Sequence, residues 1–349
     1  MLKEESCRLD ILKLWLSVMV VYIHSAEKAV DFHGESIVFD VPVWLATIRY
    51  IISSAIARCA VPGFFFMAAM FLYSKKFSWI ANVRKKVKTL VIPFLMLNTF
   101  WLAFDYFTQE VLALSPFFSK PENIVANWDL TRYFEAYLTN GNLALSTTWF
   151  IRDLFVLNLF APVIVKILDP FPKISFVVLL VMWLFVPNEL FRSSHLELQA
   201  ICFFGFGCLF VRHGPRLEAL DKIPAFVHWS VYIALITAGV FLRNALISRI
   251  CVLYGIVFWY SCMTNFKAVG LKNFLLKFSA FNFCIYIFHE RILSLTRNYL
   301  TRFFEHTPAF QFCLYIFQPV LIIIYCVILS MLLKKYFPRL FGLVTGDRI

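Results

Sequence analysis

Charged side chains are scarce in this chain: Asp, Glu, Lys and Arg together make up 15% of the 349 residues, while apolar residues make up 61%. Soluble domains carry about 25% charged and about 45–50% apolar residues, so the composition excludes a soluble enzyme and a disordered chain alike. The apolar residues form continuous blocks instead of alternating with polar ones, as they would in a transmembrane barrel. The sequence therefore predicts the all-α class, as a polytopic bundle of transmembrane helices in a lipid bilayer.

The chain also lacks the cysteine pairs that are typical of metal and redox centres. Its nine cysteines include no C-x-x-C, so we predict buried structural thiols and no metal site. No internal repeat or low-complexity tract divides the sequence. We therefore expect a single integral-membrane domain over 1–349, without a cleavable signal peptide because Lys13 interrupts the first apolar run.

Ten apolar blocks approach the length of about 20 residues that a spanning helix needs. They run over 9–26, 44–73, 89–107, 148–168, 174–190, 197–211, 224–242, 247–265, 278–298 and 312–334. With a cytoplasmic N-terminus and alternating sides, 20 Lys and Arg residues lie on the cytoplasmic side and 8 on the other. The positive-inside rule therefore predicts about ten spans of a plasma or inner membrane with both termini cytoplasmic. It also explains most of the net charge of +12 without a nucleic-acid partner.

Basic residues inside the apolar blocks are the most informative feature of the sequence. Each costs about 2.5–3.5 kcal/mol at the centre of a spanning helix, so each needs a partner or a watery cavity. The five are Lys13, Arg49, Arg58, Arg152 and Arg291. Arg49 lies on the face of a straight helix opposite Arg58, and we expect its side chain to snorkel to the interface.

The first block carries three ionisable residues, Asp10, Lys13 and His24. They share one face of a helix, although about 16 Å separates Lys13 from His24 along its axis. Histidine can accept and return a proton near neutral pH, as general acid–base catalysis requires. The alternative is that Lys13 and His24 only snorkel to the two interfaces.

The second block contains Arg58 shortly before Pro62 and Gly63, where we expect the helix to kink or break. Carbonyl groups freed by such a kink can accept hydrogen bonds from the guanidinium of Arg58. A basic run over 84–88 follows, in a predicted cytoplasmic loop over 74–88. This run is either a topology signal or a site for the phosphates of an anionic cytosolic cofactor.

Two later blocks place charged residues beside aromatic ones. Trp149 stands shortly before the adjacent Arg152 and Asp153, which form either a structural ion pair or a substrate clamp. The triplet that begins at His289 and continues with Glu290 and Arg291 must face a polar interior, and a purely structural His289 remains an equal alternative.

In chain order, these motifs resemble the signatures of the acyltransferase-3 family of integral-membrane O-acyltransferases over about 10–290. The first signature is a basic residue followed by ten residues and then histidine. The residues that carry the resemblance are Asp10, Lys13 and His24; Arg58, Val61, Pro62 and Phe64-Phe65-Phe66-Met67; Lys85, Lys88, Pro93 and Asn98; Trp149-Phe150 and Arg152-Asp153-Leu154; and Ser279, Tyr286 and His289.

The resemblance implies an enzyme that moves an acyl group from cytosolic acyl-CoA, acetyl-CoA in particular, to a hydroxyl of an extracytoplasmic or lipid-linked glycan, without a metal. It implies catalytic roles for His24, Asp10 and Lys13. It implies donor binding by Arg58, Lys85 and Lys88. It implies substrate binding by Trp149, Arg152, Asp153 and His289.

Three positions depart from the family pattern. Ala68 and Ala69 stand where Ser-Gly is usual, and Gly63 replaces a bulky apolar residue after the proline. Lys85 and Lys88 replace two arginines, and lysine lacks the bidentate phosphate geometry of arginine. The first two departures affect how closely the helices can pack, and the two lysines affect how tightly the donor can be bound.

Two other functions remain open at this stage. One is a transporter or flippase for a lipid-linked saccharide, which would also place polar residues deep in the membrane. The other is a family member without catalytic activity. The stretch 108–147 contains Trp128, Tyr133, Tyr137 and Asn140, which suit a glycan surface or, equally, an interfacial aromatic belt.

Overall fold

Helices dominate the structure, a computed structural model that describes residues 3–26, 29–32, 35–38, 40–74, 78–112, 124–138, 145–192, 196–215, 217–263, 269–304 and 306–346. The helical segments are α1 (Lys3–Ser25), α2 (Val43–Tyr73), α3 (Trp79–Val111), α4 (Leu130–Leu138), α5 (Trp149–Leu159), α6 (Ala161–Leu168), α7 (Pro172–Phe185), α8 (Leu198–His213), α9 (Ala225–Leu242), α10 (Ala245–Cys262), α11 (Val269–Ser279), α12 (Asn282–Phe303), α13 (Pro308–Tyr336) and α14 (Pro338–Thr345). Short helical turns cover Val125–Asn127, Ser146–Thr148, Glu189–Arg192 and Leu217–Lys222. Helix was predicted throughout, and the structure adds one antiparallel hairpin, β1 (Ala29–Phe32) with β2 (Glu35–Val38).

Among the residues that the structure describes, five helices are long and apolar enough to cross a membrane: α2, α3, α9, α10 and α13. Helices α7 and α8 are apolar but shorter. Helix α12 carries the charged triplet at His289, and the fourth predicted block is divided at Phe160 between α5 and α6. A multi-pass membrane protein follows from these helices, while the count of ten spans and the cytoplasmic termini stay predictions.

Helix α2 is irregular just before Pro62 and not broken at it. A π-helical stretch over Tyr50–Ile56 and a 3₁₀ turn over Ala57–Cys59 precede the α-helical part. Proline lacks an N–H and its ring displaces the carbonyl four residues earlier, so the distortion falls on the preceding turn. The Ile56 carbonyl accepts from the Cys59 thiol at 3.3 Å and from the Tyr232 hydroxyl at 3.4 Å.

The described chain divides into two compact units, each built from several stretches of sequence. The first comprises 1–23, 50–87 and 153–282; the second comprises 24–49, 88–152 and 283–349. The prediction of one domain over 1–349 stays a prediction.

The core of the first unit depends on a close approach between α8 and α2. At Gly207, an added Cβ would lie 2.3 Å from the Phe66 carbonyl oxygen and 2.9 Å from the Cβ of Ala69. Only glycine fits there, because that distance to a backbone atom is far below van der Waals contact. Gly207 thus packs against α2 at Ala69, one of the positions that depart from the family pattern.

Polar contacts in the first unit tie the ends of its helices together. Asp169, which follows α6, accepts from Arg212 Nε at 2.7 Å, and His213 Nε2 lies 2.6 Å from it. These two hydrogen bonds lower the pKa of Asp169 to about 2. Arg8 near the start of α1 pairs with Asp221 at 2.9 Å. These contacts join the end of α8 to the segment after α6, and the start of α1 to the turn Leu217–Lys222.

The core of the second unit lies between α3 and α12. Leu97, Trp101, Leu145 and Ile287 are buried together there. Helix α14 ends at Gly346, whose φ of +65° is left-handed and whose Cα lies against the backbone of Thr89. Helix α14 itself packs on the part of α3 that covers Ile92–Tyr106.

Candidate functional site

A pair of histidines is the central feature of the second unit. His24 lies in the last turn of α1 and is half-buried, while His289 on α12 is fully buried. Their ring centroids are 5.2 Å apart, with the rings inclined at 60° in an edge arrangement. The structure therefore brings together two predicted site residues that are 265 positions apart in the sequence.

The ring of His289 is oriented by its own helix. Its Nδ1 lies 2.9 Å from the carbonyl oxygens of both Ile285 and Tyr286. Carbonyl oxygens only accept, so Nδ1 carries the proton, and Nε2 is an acceptor when the ring is neutral. Nε2 is buried and has no hydrogen-bond partner in the described structure. A buried acceptor of this kind, next to a second imidazole, is suited to passing or sharing a proton.

Asp10 and Lys13 form an ion pair on α1. The Lys13 ammonium lies 2.5 Å from Asp10 Oδ1 and 5.0 Å from the ring centroid of Phe71 on α2. Both side chains are about one-third exposed. The pair lies within one helix, and the contact of Lys13 with Phe71 joins α1 to α2 in the first unit.

The predicted donor-binding residues are all exposed. Arg58 lies in the 3₁₀ turn of α2 and does not use the Ile56 carbonyl, which the Cys59 thiol and the Tyr232 hydroxyl approach instead. Lys85 and Lys88 lie on α3, which begins at Trp79, so the predicted loop over 74–88 is helical from that residue onward. Side chains that remain exposed in this way can reach a soluble anion.

The motif at Trp149 begins helix α5. The half-buried Arg152 donates to the Leu138 carbonyl within the second unit. The fully buried Asp153 accepts from the Glu197 backbone N–H at 2.9 Å within the first unit. Each side chain thus holds the end of a neighbouring segment in place, which is a positioning role.

Asn98 is a buried residue that fixes the segment before Trp149. Its Nδ2 donates to the Phe94 carbonyl at 2.8 Å and to Thr148 Oγ1 at 3.1 Å, and its Oδ1 accepts from the Leu145 N–H at 3.0 Å. The Tyr286 hydroxyl donates to the Thr147 carbonyl. Two residues of the resemblance, Asn98 and Tyr286, therefore converge on one short turn.

The charged triplet on α12 finds its partner on α3. Arg291 pairs with Asp105, and its guanidinium also lies 5.3 Å from the ring centroid of Trp101. Asp105 was not among the predicted site residues. Its position inside the apolar block 89–107 was the available signal, since a lone intramembrane carboxylate needs a cation.

Three aromatic residues of the described part of the stretch before α5 are packed and partly buried, whereas Phe134 is exposed. Trp128, Tyr133 and Tyr137 lie against Leu102 in a small buried cluster. The Tyr133 hydroxyl donates to the Val125 carbonyl at 2.8 Å, and the Tyr137 and Thr99 hydroxyls are 2.8 Å apart. Asn140 lies outside the described residues. Across the part of the chain that the structure describes, no cluster of three or more His, Cys, Asp and Glu residues could hold a metal.

A bundle of apolar helices that buries histidine, arginine and an ion pair defines an integral-membrane protein with a polar site in its interior. The acyltransferase-3 family model, described as an acyltransferase domain, matches residues 8–335. The chain therefore belongs to the acyltransferase-3 family, which confirms the family predicted from the motifs.

One curated relative is the succinoglycan biosynthesis protein ExoH of Rhizobium meliloti (strain 1021). It is 22% identical over 228 residues, which cover 63% of this chain and 58% of the relative. The chain thus spans less than two thirds of the length of that relative. No solved structure shows a significant match.

Proposed function

We propose that this protein is a membrane-bound O-acyltransferase that moves an acetyl or related acyl group from cytosolic acyl-CoA to a hydroxyl of a glycan. The observation that carries the proposal is the contact of His24 with the buried His289. An imidazole held at the end of a membrane helix, with a second imidazole beside it, is suited to general base catalysis. The polysaccharide role in the relative's name supports a glycan, extracytoplasmic or lipid-linked, as the acceptor.

The chemistry proposed for His24 is proton transfer. His24 removes the proton of the acceptor hydroxyl as the oxygen attacks the thioester carbonyl, forming the ester C–O bond. The C–S bond then breaks, and the CoA thiolate takes the proton that His24 holds. His289 orients the His24 ring from its own fixed position and is a positioning residue in this scheme.

The donor side is assigned to the exposed basic residues. Arg58 on α2 and Lys85 and Lys88 on α3 have exposed side chains of the two types that bind phosphates in other proteins, which supports assigning them to the phosphates of acetyl-CoA. Lys13, held by its ion pair with Asp10, keeps helix α1 against α2 through its contact with the Phe71 ring. The acceptor side is assigned to the segment at Trp149, which Asn98 and Tyr286 hold in place.

The test is acyl transfer by the purified protein in detergent, with labelled acetyl-CoA and a lipid-linked saccharide. We expect His24→Asn to lower the transfer rate about 10³-fold, within the range that a general base supplies. The matched control is His228→Asn, because His228 is a buried histidine of the first unit, 3.1 Å from the Tyr254 hydroxyl and outside the proposed site. The control should keep most of its activity.

Three outcomes would contradict parts of the proposal. Full activity of His24→Asn would remove the catalytic assignment. Label retained on wild-type protein but not on His24→Asn, and released by hydroxylamine, would show that His24 is acylated itself and is not only a base. Movement of the saccharide across proteoliposomes without acylation would favour the transporter.

A further inference from the structure

An apolar cavity of about 310 Å³ lies inside the first unit, among helices α1, α2, α7, α8 and α10. Its walls are leucine, isoleucine, valine, methionine and phenylalanine side chains, together with Gly63 and Tyr260. The Tyr260 hydroxyl interacts with Arg8 near the start of α1. The size is within the range of about 300–1,000 Å³ for ligand pockets, but these walls offer a polar ligand almost no hydrogen bonds.

The lining of the cavity follows its helices for some distance. On α1 it runs from Leu9 to Leu16, and on α10 it runs from Leu253 to Tyr260. Each of these stretches covers two helical turns, which rise about 10 Å. A space that extends along the helices in this way suits a chain better than a compact ring.

Gly63 keeps the cavity open on the side of α2. A Cβ added there would lie 3.0 Å from Leu16 Cδ1 and 3.8 Å from Ile256 Cγ1, and both of these side chains line the cavity. A larger residue at this position would therefore project into the space between α1 and α10. Glycine within a helix lowers the stability of the helix, so its presence here indicates that the space it leaves is used.

Helix α7 forms the wall of the cavity that faces outward. Its residues Phe176 and Leu180 line the cavity, and Phe176 is also 48% exposed. Further apolar side chains exposed on this helix are Ile174, Val177, Val178, Val181 and Phe185. An exposed apolar helix of a multi-pass membrane protein meets lipid tails, which are as apolar as leucine. Hydrocarbon chains are therefore at hand beside the cavity.

We propose that this cavity, the Gly63 cavity, binds the hydrocarbon chain of a bilayer lipid. A water molecule needs about two to four polar partners, so a cavity with such walls excludes water and accepts apolar ligands. A bound chain makes the dispersion contacts that the surrounding side chains lack, and it joins α1 to α2 and α10. The proposal depends on the membrane setting of the chain and goes beyond the proposed function.

The acyl group of the donor is another source of a hydrocarbon chain. The bilayer is favoured because the cavity has a lipid-facing wall on α7 and belongs to the first unit. The proposed catalytic His24 belongs to the second unit.

The first experiment detects a lipid chain inside the cavity. The full-length protein is placed in nanodiscs of phosphatidylethanolamine and phosphatidylglycerol, with some phosphatidylglycerol carrying a diazirine on one acyl chain. After illumination, mass spectrometry should find label on the cavity residues Met67 and Leu253. Gly63→Leu should lower this labelling about fivefold, because its side chain takes up the space. Labelling of Leu321 and Ile324, which are exposed on α13, should not change.

A second variant fills the same cavity from another helix. Val257→Phe enlarges a lining residue of α10 and should lower the labelling as Gly63→Leu does, which keeps the test decisive if one variant fails to fold. The matched control is Gly270→Leu, at an exposed glycine of the first unit where an added Cβ has no atom within 4 Å. This control should be labelled like the wild type.

The second experiment measures the effect of the lipid on stability. Removal of lipid by extensive washing in detergent should lower the unfolding temperature of the wild type, and added phosphatidylglycerol should restore it. Both shifts should be smaller in Gly63→Leu, because the leucine side chain replaces part of the bound chain.

The third experiment compares acetyl-CoA with octanoyl-CoA as donors. If a bilayer lipid occupies the cavity, Gly63→Leu should change the two transfer rates by the same factor. Loss of octanoyl transfer alone in Gly63→Leu would assign the cavity to the acyl group of the donor and overturn the proposal.

Two further results separate this proposal from the proposed function. No label in the cavity of the wild type, or equal labelling of the wild type and both filled variants, would overturn the lipid site whether or not the protein is active. Labelling that depends on Gly63 in a protein without transferase activity would uphold the lipid site and contradict the proposed function.

Discussion

The two compact units have interiors of different chemistry. In the first, a cavity between α1, α2, α7, α8 and α10 is lined by apolar side chains and by the single hydroxyl of Tyr260. In the second, the cavity beside His24 is lined by two arginines and several polar side chains. Both buried arginines and the fully buried His289 of the described chain lie in this second unit.

This difference suggests a mainly structural role for the first unit and a functional role for the second. The first unit also buries Asp153 and His228, each with a hydrogen-bond partner inside the unit, but the walls of its cavity are apolar and are stabilised by packing. A membrane protein that retains buried charge accepts a cost in stability, and such residues mark functional positions. The proposed catalytic His24 and the buried Arg49 belong to the second unit. We therefore expect the stability and activity of that unit to be sensitive to changes in the polarity of its side chains.

Removal of Asp105 should have the largest effect on stability. Asp105→Ala leaves Arg291 unpaired in the second unit, which should lower the free energy of unfolding by about 3 kcal/mol. The measurement is thermal or denaturant unfolding in detergent for each single variant and for Asp105→Ala with Arg291→Ala. The double variant should be less destabilised than the sum of the single ones, and strict additivity would show that the two side chains do not interact.

A methyl group at position 207 should have the next largest effect, through packing alone. Gly207→Ala places a Cβ 2.3 Å from the Phe66 carbonyl oxygen and should cost about 2 kcal/mol by forcing α2 and α8 apart. The matched control is Gly270→Ala, where an added Cβ would have no atom within 4 Å. Equal stabilities of the two variants would show that the first unit does not depend on this approach.

The smallest effect is expected at the edge of the first unit and depends on pH. The pKa of Asp169 is about 2, below its ordinary value near 3.9, so this carboxylate stabilises the fold above about pH 4 and loses that effect as the pH falls toward 2. Asp169→Asn should cost no more than about 1 kcal/mol at pH 6, because partly exposed ion pairs are weak.

The check on Asp169 is the unfolding temperature of both proteins across this pH range. The gap between wild type and Asp169→Asn should narrow as the solution is acidified. A gap that is constant between pH 6 and pH 3 would contradict the assignment of Arg212 and His213 as its partners.

Many of the helices could be predicted from local features of the sequence, such as continuous apolar runs and the residues at their ends. Helix α9 covers Ala225–Leu242 against a predicted block over 224–242, since a continuous apolar run follows Pro224. Helix α10 begins after Asn244, whose side chain accepts from the Leu246 N–H at 2.7 Å as a cap. Hydropathy did not predict the full extent of helices whose ends are charged. Helix α3 begins before its predicted block and α12 ends after its own.

Tertiary contacts explain what the sequence could not show about the site. Spacing placed His24 and His289 on separate helices, but no periodicity says which helices pack together. The burial of Arg49 was predicted wrongly, because snorkelling is the default for a lone cation near a helix end. Its neighbours Arg297 and Tyr315 come from α12 and α13, far away along the chain.

The ring of His289 is oriented by main-chain carbonyl groups of its own helix, three and four residues earlier. Its Nδ1–H is shared by two main-chain oxygens, of Ile285 and Tyr286, which every amino acid supplies. Substitution at those positions leaves the oxygens in place, whereas inserting one residue between 286 and 289 turns the imidazole by about 100° around the helix axis. This turn of α12 can therefore vary in composition but not in length.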